Sequence, residues 1–148
     1  METLHLEFMA LVTKENILNY IPQRNPICLV HSIYESNEQK VKTGFVVEAD
    51  HFFVSDNKLT EAGIIENLAQ SCAAQAGYVC SLKNMPPRVG FIANIKDLRI
   101  HSLPSVNSEI ITEITLKAFV MNVTLVIAAS TCNGEPVAEC EMKIFVQA

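Results

Sequence analysis

The sequence predicts an α+β fold in which an antiparallel sheet curls around one long helix. Three observations carry this. The run from Glu61 to about Leu82 is oily and helical in its periodicity, with Thr60 as its cap. Everything after Pro87 reads as strand, and two more strand-like runs precede the helix. A helix that apolar must be covered on most sides, and a wrapped sheet is the economical cover.

The elements follow in order. Met1 to Tyr20 reads as an extended lead-in and a short helix over 14–20, with Thr13 as its N-cap and Pro22 as its stop. Residues 21–26 hold two prolines and form a turn. Ile27 to Tyr34 is a β-branched-rich strand, Glu35 to Gln39 a polar turn, and Val41 to Val47 a second strand. Asp50 to Lys58 is a loop that Phe52 and Phe53 anchor by burying their rings.

The long helix follows. At about 3.6 residues per turn, Ile65, Leu68, Ala69, Cys72, Ala73, Ala76 and Cys80 fall on one apolar stripe. Residues 83–87 break it. Arg88 to Ile95 and Leu98 to Ile100 form one strand or a bulged pair, and Leu103 to Ser108 a loop. Glu109 to Phe119 alternates, with Ile110, Thr112, Ile114 and Leu116 on one face. Val123 to Cys132 is the next strand, Asn133-Gly134 a hairpin turn, and Val137 to Val146 the closing strand.

The 148 residues are read as one domain, 1–148, large enough for a core. Apolar residues make up 49% and charged ones 18%, which excludes disorder and hints at a large subunit interface. A net charge of −5 argues against nucleic-acid binding. An acidic partner protein needs only a local basic patch, for which Arg24, Lys83, Arg88, Lys96 and Arg99 are candidates. The first twelve residues lack the basic head of a signal peptide, and no run approaches the ~20 apolar residues of a membrane span.

Five cysteines, Cys28, Cys72, Cys80, Cys132 and Cys140, include no CxxC pair. Read as reduced, they imply a cytoplasmic protein. No metal-ligand spacing, phosphate loop or nucleophile elbow occurs, so no cofactor is expected.

Glu66 stands out in this pattern. It lies at the edge of the apolar stripe, beside Ala62, Ala73 and Gly77. Partial desolvation there suits a carboxylate to exchange a proton near neutrality, whereas a Glu reaching past the rim into water would be unremarkable.

The arrangement is that of the hotdog fold, and the motifs point to a family within it. Residues 21–30, Ile-Pro-Gln-Arg-Asn-Pro-Ile-Cys-Leu-Val, are similar to a Pro-His-Arg-x-Pro opening turn. Residues 64–70 carry a Glu followed by Ala-Gln at three and four positions on. Residues 91–100 end in Lys-Asp-Leu-Arg-Ile, and 133–139 supply a closing hairpin. In order and spacing, these pieces resemble the hotdog 3-hydroxyacyl-acyl carrier protein dehydratases from Ile17 onward. Gln23 replaces the usual His, and the loop over 50–59 is short, with His51 before the two Phe rather than after them. That pattern resembles the divergent dehydratase-like subunits of aryl-polyene and flexirubin-type pigment clusters.

The resemblance implies Glu66 as catalytic acid and His51 as base, meeting across a subunit interface. It implies Gly63, Gln70, Asn94 and Phe53 on the substrate side, with Gly63 letting a thioester approach the helix N-terminus. The implied partners are an acyl carrier protein with a phosphopantetheine-linked chain and a second hotdog subunit, identical or different. Two other functions compete: a degenerate subunit that completes a partner dehydratase, and a thioesterase in which Glu66 activates water. His5, His31 and His101 sit in tail or strand contexts and read as structural.

Overall fold

The computed structural model describes residues 9–86 and 90–146. Six strands form one antiparallel sheet in the order β1-β2-β6-β7-β8-β5. They are β1 (Ser32–Ser36), β2 (Lys40–Val46), β5 (Gly90–Ile100), β6 (Glu109–Val120), β7 (Val123–Cys132) and β8 (Glu135–Val146). A separate two-stranded hairpin, β3 (Val54–Ser55) and β4 (Lys58–Leu59), precedes the helix α1 (Glu61–Leu82). The sheet curves over α1, giving the hotdog architecture.

Most elements fall where the sequence puts them. Thr60 caps α1, its Oγ1 accepting from the Gly63 N–H. Ile110, Thr112 and Ile114 of β6 are buried and face the helix side, as alternation requires. Asn133 and Gly134 both take positive φ, 53° and 80°, which the two-residue β7–β8 turn demands. β5 is one strand with two register shifts, at Ile92/Asn94 and Lys96/Arg99. Arg88 lies outside the described residues.

Five expectations change. The helix over 14–20 shrinks to a 3-10 turn, Ile17–Asn19, preceded by Asn16 rather than capped by Thr13. The loop over 50–58 contains the β3–β4 hairpin, turned by Asp56 and Asn57 at positive φ. Phe53 is half-buried, but Phe52 is 67% exposed, so only one ring anchors the loop.

The first strand starts at Ser32, not Ile27. The backbone before it is held by side chains instead. The Leu29 N–H donates to Gln70 Oε1 at 2.6 Å, and the Leu29 carbonyl accepts from Asn67 Nδ2 at 2.8 Å.

That same bonding corrects the face of α1. The buried side is Gly63, Ile64, Asn67, Leu68, Gln70, Ser71, Ala74 and Gly77. Of the expected stripe, only Leu68 is buried; Ile65, Ala69, Cys72, Ala73 and Cys80 are half-buried and Ala76 is exposed. Polar groups face the sheet because each finds a partner there. Asn67 Oδ1 accepts from Thr112 Oγ1 at 2.6 Å, and the Ser71 and Thr43 hydroxyls are 2.7 Å apart. Satisfied polar groups bury without the desolvation loss of orphaned ones. The oilier flank is left only partly covered among the described residues.

Candidate functional site

Glu66 sits on the second turn of α1, half-buried, at the boundary between the polar buried face and the open flank. Its Oε1 accepts from Gln70 Nε2 at 2.9 Å. One turn separates the pair, so the helix itself sets the spacing. Gln70 is fully buried, and its Nε2 also donates to the Ile27 carbonyl at 2.8 Å. With Leu29 N–H donating to its oxygen, every polar function of the Gln70 amide is assigned, so its orientation follows from the network. The amide holds one Glu66 oxygen, Oε1.

His51 lies in the loop after β2, half-buried. Its Nε2 is 2.8 Å from the Cys28 carbonyl, and its Nδ1 accepts from the Phe53 N–H at 3.1 Å. The ring meets Phe45 edge-on at 5.4 Å and stacks on Phe53 at 6.0 Å. Both ring nitrogens are therefore engaged within the chain.

Gly63 is closely packed within the chain. A Cβ there would lie 2.7 Å from Leu59 Cδ1 and 2.8 Å from Phe53 Cβ. The space beside this glycine is filled by the β3–β4 hairpin, and its N–H is taken by Thr60. It packs the hairpin onto the helix start. Phe53 belongs to the same packing, its carbonyl accepting from Thr60 N–H and Oγ1. Asn94 is exposed on β5 at a register shift, opposite Lys143.

Asn67 is the residue that sequence reasoning missed. It stands inside the Glu-x-x-Ala-Gln motif, and its signal was a short polar side chain one turn before Ser71. Together Asn67, Gln70 and Ser71 define the buried face better than the aliphatic residues do.

Each described member of the candidate basic patch stands against an acceptor or an acidic neighbour. Arg24 Nη1 donates to the Ile21 and Gln23 carbonyls of its own turn, and Lys83 pairs with Glu38 at 2.6 Å. Lys96 and Arg99 stand opposite Glu141 and Glu139.

All five cysteines are unbridged. Burial pushes the Cys72 thiol up to about 12 and Cys140 up to about 11, so neither is a thiolate nucleophile near neutrality. Among the described residues, no His/Cys/Asp/Glu group is arranged to hold a metal ion. No described helix is long and apolar enough to cross a membrane.

A cleft of about 260 Å³ is lined by Lys14, His31, Ser32, Val46, Glu48 and Glu109, and its His31 ring packs 4.5 Å from Phe45, the ring that also meets His51. His31 Nδ1 accepts from the Val46 N–H at 3.2 Å, and its Nε2 is 3.2 Å from Glu48 Oε1. Burial and the Lys14 charge depress its pKa from 6.5 to about 4, against an upward pull from Glu48. The unfolded chain therefore binds this proton between pH 6.5 and about 4, where the folded chain does not. His31 contributes full stability above pH 6.5 and loses it as pH falls toward 4. Urea midpoints should drop between pH 7 and pH 5, and His31→Gln should flatten that part of the drop; an unchanged slope would remove His31 as its cause.

Comparison with known proteins settles the family. A family model described as ApeP-like, ApeP dehydratase, matches residues 15–148. The chain belongs to the ApeP-like dehydratase family. It is thus a dehydratase-like hotdog protein, as its motifs imply. No curated protein sequence matches the chain. Solved structures agree on the fold. The dehydratase heterocomplex ApeI:P from Xenorhabdus doucetiae superposes with a TM-score of 0.81 at 14% identity, covering 89% of this chain and 91% of that one. A protein from Helicobacter felis gives a TM-score of 0.66 at 13% identity, with 90% and 88% covered. A hypothetical thioesterase with coenzyme A from Streptococcus pneumoniae gives 0.62 at 11% identity, with 78% and 84% covered.

Proposed function

We propose that this ApeP-like protein is a subunit of a dehydratase that removes water from a 3-hydroxyacyl chain carried as a thioester. The observation that carries it is the Glu66 carboxyl, held at one oxygen by Gln70 and half-open at the other side. In the elimination, a base takes the C2 proton, the C2=C3 bond forms, and the C3–O bond breaks. Because Oε1 accepts from Gln70, the acidic proton belongs on Oε2. Glu66 delivers that proton to the departing hydroxyl, which leaves as water.

The chain is expected on the phosphopantetheine arm of an acyl carrier protein, in pathways of the aryl-polyene type. The unbridged cysteines support a cytoplasmic setting. Incubation of the complex with a 3-hydroxyacyl carrier protein should yield the enoyl thioester, seen as loss of one water from the intact carrier. Release of free acid instead would favour the thioesterase reading and sink this one.

The partner surface is supported by β5. It ends the sheet, and nothing among the described residues pairs with its outer edge. Phe91 is 55% exposed, Ile92 40% and Leu98 37%. An open apolar edge invites pairing with another chain, and the ApeI:P structure is itself of a heterocomplex. A second hotdog subunit joined edge to edge is the assembly proposed. Ile92→Lys should shift the protein to monomer in sedimentation at micromolar concentration while leaving its circular dichroism unchanged. Retention of the full assembly would place the interface elsewhere.

A further inference from the structure

We propose that Thr112 and Asn67 are positioning residues for Glu66. A line of hydrogen bonds from the sheet fixes which end of the Gln70 amide faces the carboxyl. This rests on the dehydratase reading above, in which Glu66 gives up a proton.

A side-chain amide has two ends of nearly equal shape and opposite chemistry, and a half turn exchanges them. With its nitrogen toward Glu66, Gln70 donates to the carboxyl, as observed at 2.9 Å. With its oxygen there, only a protonated Glu66 could bond to it. The acidic proton would then be spent on Gln70 instead of on the departing hydroxyl. The orientation of this amide therefore bears on the chemistry.

Leu29 is the reference that sets it. Two amides on one face of α1 grip both of its backbone polar groups. Its N–H donates to Gln70 Oε1 at 2.6 Å, and its carbonyl accepts from Asn67 Nδ2 at 2.8 Å. Asn67 and Gln70 are three residues apart, so the helix makes them neighbours. Leu29 is fully buried, so bulk water replaces neither bond.

Asn67 carries the same two-ended ambiguity. The Leu29 carbonyl can only accept, so Asn67 turns its nitrogen there and its oxygen toward β6. The Thr112 hydroxyl donates to that oxygen at 2.6 Å, and both residues are buried. At the other end of the line, Gln70 Nε2 spends its two hydrogens on the Ile27 carbonyl and Glu66 Oε1. From Thr112 through Asn67, Leu29 and Gln70 to Glu66, each group has one role.

A neighbouring pair supplies the contrast. The Thr43 and Ser71 hydroxyls are 2.7 Å apart and equally buried between the same helix and sheet. No described side-chain bond joins them to Leu29, Gln70 or Glu66.

The test measures turnover of a 3-hydroxyacyl carrier protein by the complex containing the full chain, well below its melting temperature, beside urea midpoints. Thr112→Val should lower kcat by about 10- to 100-fold, the scale for a reacting group displaced by about 1 Å. KM should hardly move, because the bond serves the chemical step and not substrate binding. Thr112→Ser keeps the hydroxyl and should restore most of the rate. Asn67→Leu should match Thr112→Val, and the double variant should lose no more than the worse single one, since both cut one line. Thr43→Val should lower the urea midpoint comparably and keep its kcat. Unchanged kcat in Thr112→Val and Asn67→Leu, equal loss in Thr43→Val, or no rescue by Thr112→Ser would overturn the inference. Those outcomes leave the dehydratase reading standing if Glu66→Gln collapses turnover. No turnover by the wild-type complex, or full turnover by its Glu66→Gln variant, would end both.

Discussion

Replacing Glu66 by Gln should lower dehydration by about 100- to 10,000-fold, the range for loss of a positioned proton donor. The fold should be untouched. Glu66 makes a single described hydrogen bond, accepting from Gln70 at 2.9 Å, and a Gln carbonyl oxygen can accept the same bond. Only the exchangeable proton on the far oxygen is lost. The signature is therefore a collapse of kcat with a melting temperature within about a degree or two of the wild type, since surface-accessible polar swaps seldom exceed ~0.5 kcal/mol. Turnover of a 3-hydroxyacyl carrier protein and thermal circular dichroism together read it. A large fall in melting temperature would mean Glu66 is a structural member of the helix face. Unchanged turnover would remove it from the chemistry.

The second large effect is expected at Gly77. Helix propensity alone favours Gly77→Ala by about 1 kcal/mol. Packing opposes it. A Cβ there would lie 1.9 Å from the Tyr20 carbonyl oxygen and 2.8 Å from its carbonyl carbon, both backbone atoms that cannot rotate away. Overpacking of this kind costs about 1–3 kcal/mol even where flexible side chains can yield. The clash outweighs the propensity gain, so the variant should be less stable despite its better helix former. A lower urea midpoint with the same slope would bear this out. A higher midpoint would show that the segment ending at Tyr20 can move off the helix without loss.

Gly77 also marks what the sequence could and could not disclose. The long helix, its Thr60 cap and the alternating strands after it are written in local patterns of periodicity, capping and turn chemistry. They were legible because each depends on residues close together in the chain. The buried face of the helix was not. Periodicity points the oiliest stripe inward, but Asn67, Gln70 and Ser71 face the sheet because their partners are 28 to 45 residues away. A pairing over that distance leaves no mark on a helical wheel.

The site divides the same way. Glu66 was visible as a carboxylate at the rim of an apolar helix. The geometry that gives it one tethered oxygen depends on Leu29 and Ile27, far off in sequence. His51 was nominated by its nearness in the chain, yet that nearness says nothing about which of its nitrogens is spoken for. Gly63 was assigned to a ligand because glycine signals close approach. Within the chain, the groups that come close to it are Leu59 and Phe53.

The polar contacts between helix and sheet have a consequence for uniqueness rather than strength. Leucines along that face could slide by a turn and find equivalent company, giving several near-degenerate dockings. Here a slide would strand the Leu29 amide and carbonyl, Thr43 and Thr112 from their mates. Each buried group so orphaned costs about 1–3 kcal/mol. The helix is thus indexed, like a key whose notches admit one depth of insertion. Replacing Asn67 and Thr112 together by Leu and Val would remove one such pairing and leave the Leu29 carbonyl without its Asn67 donor. It would blur the one axial position at which the Glu66 carboxyl stands where it does.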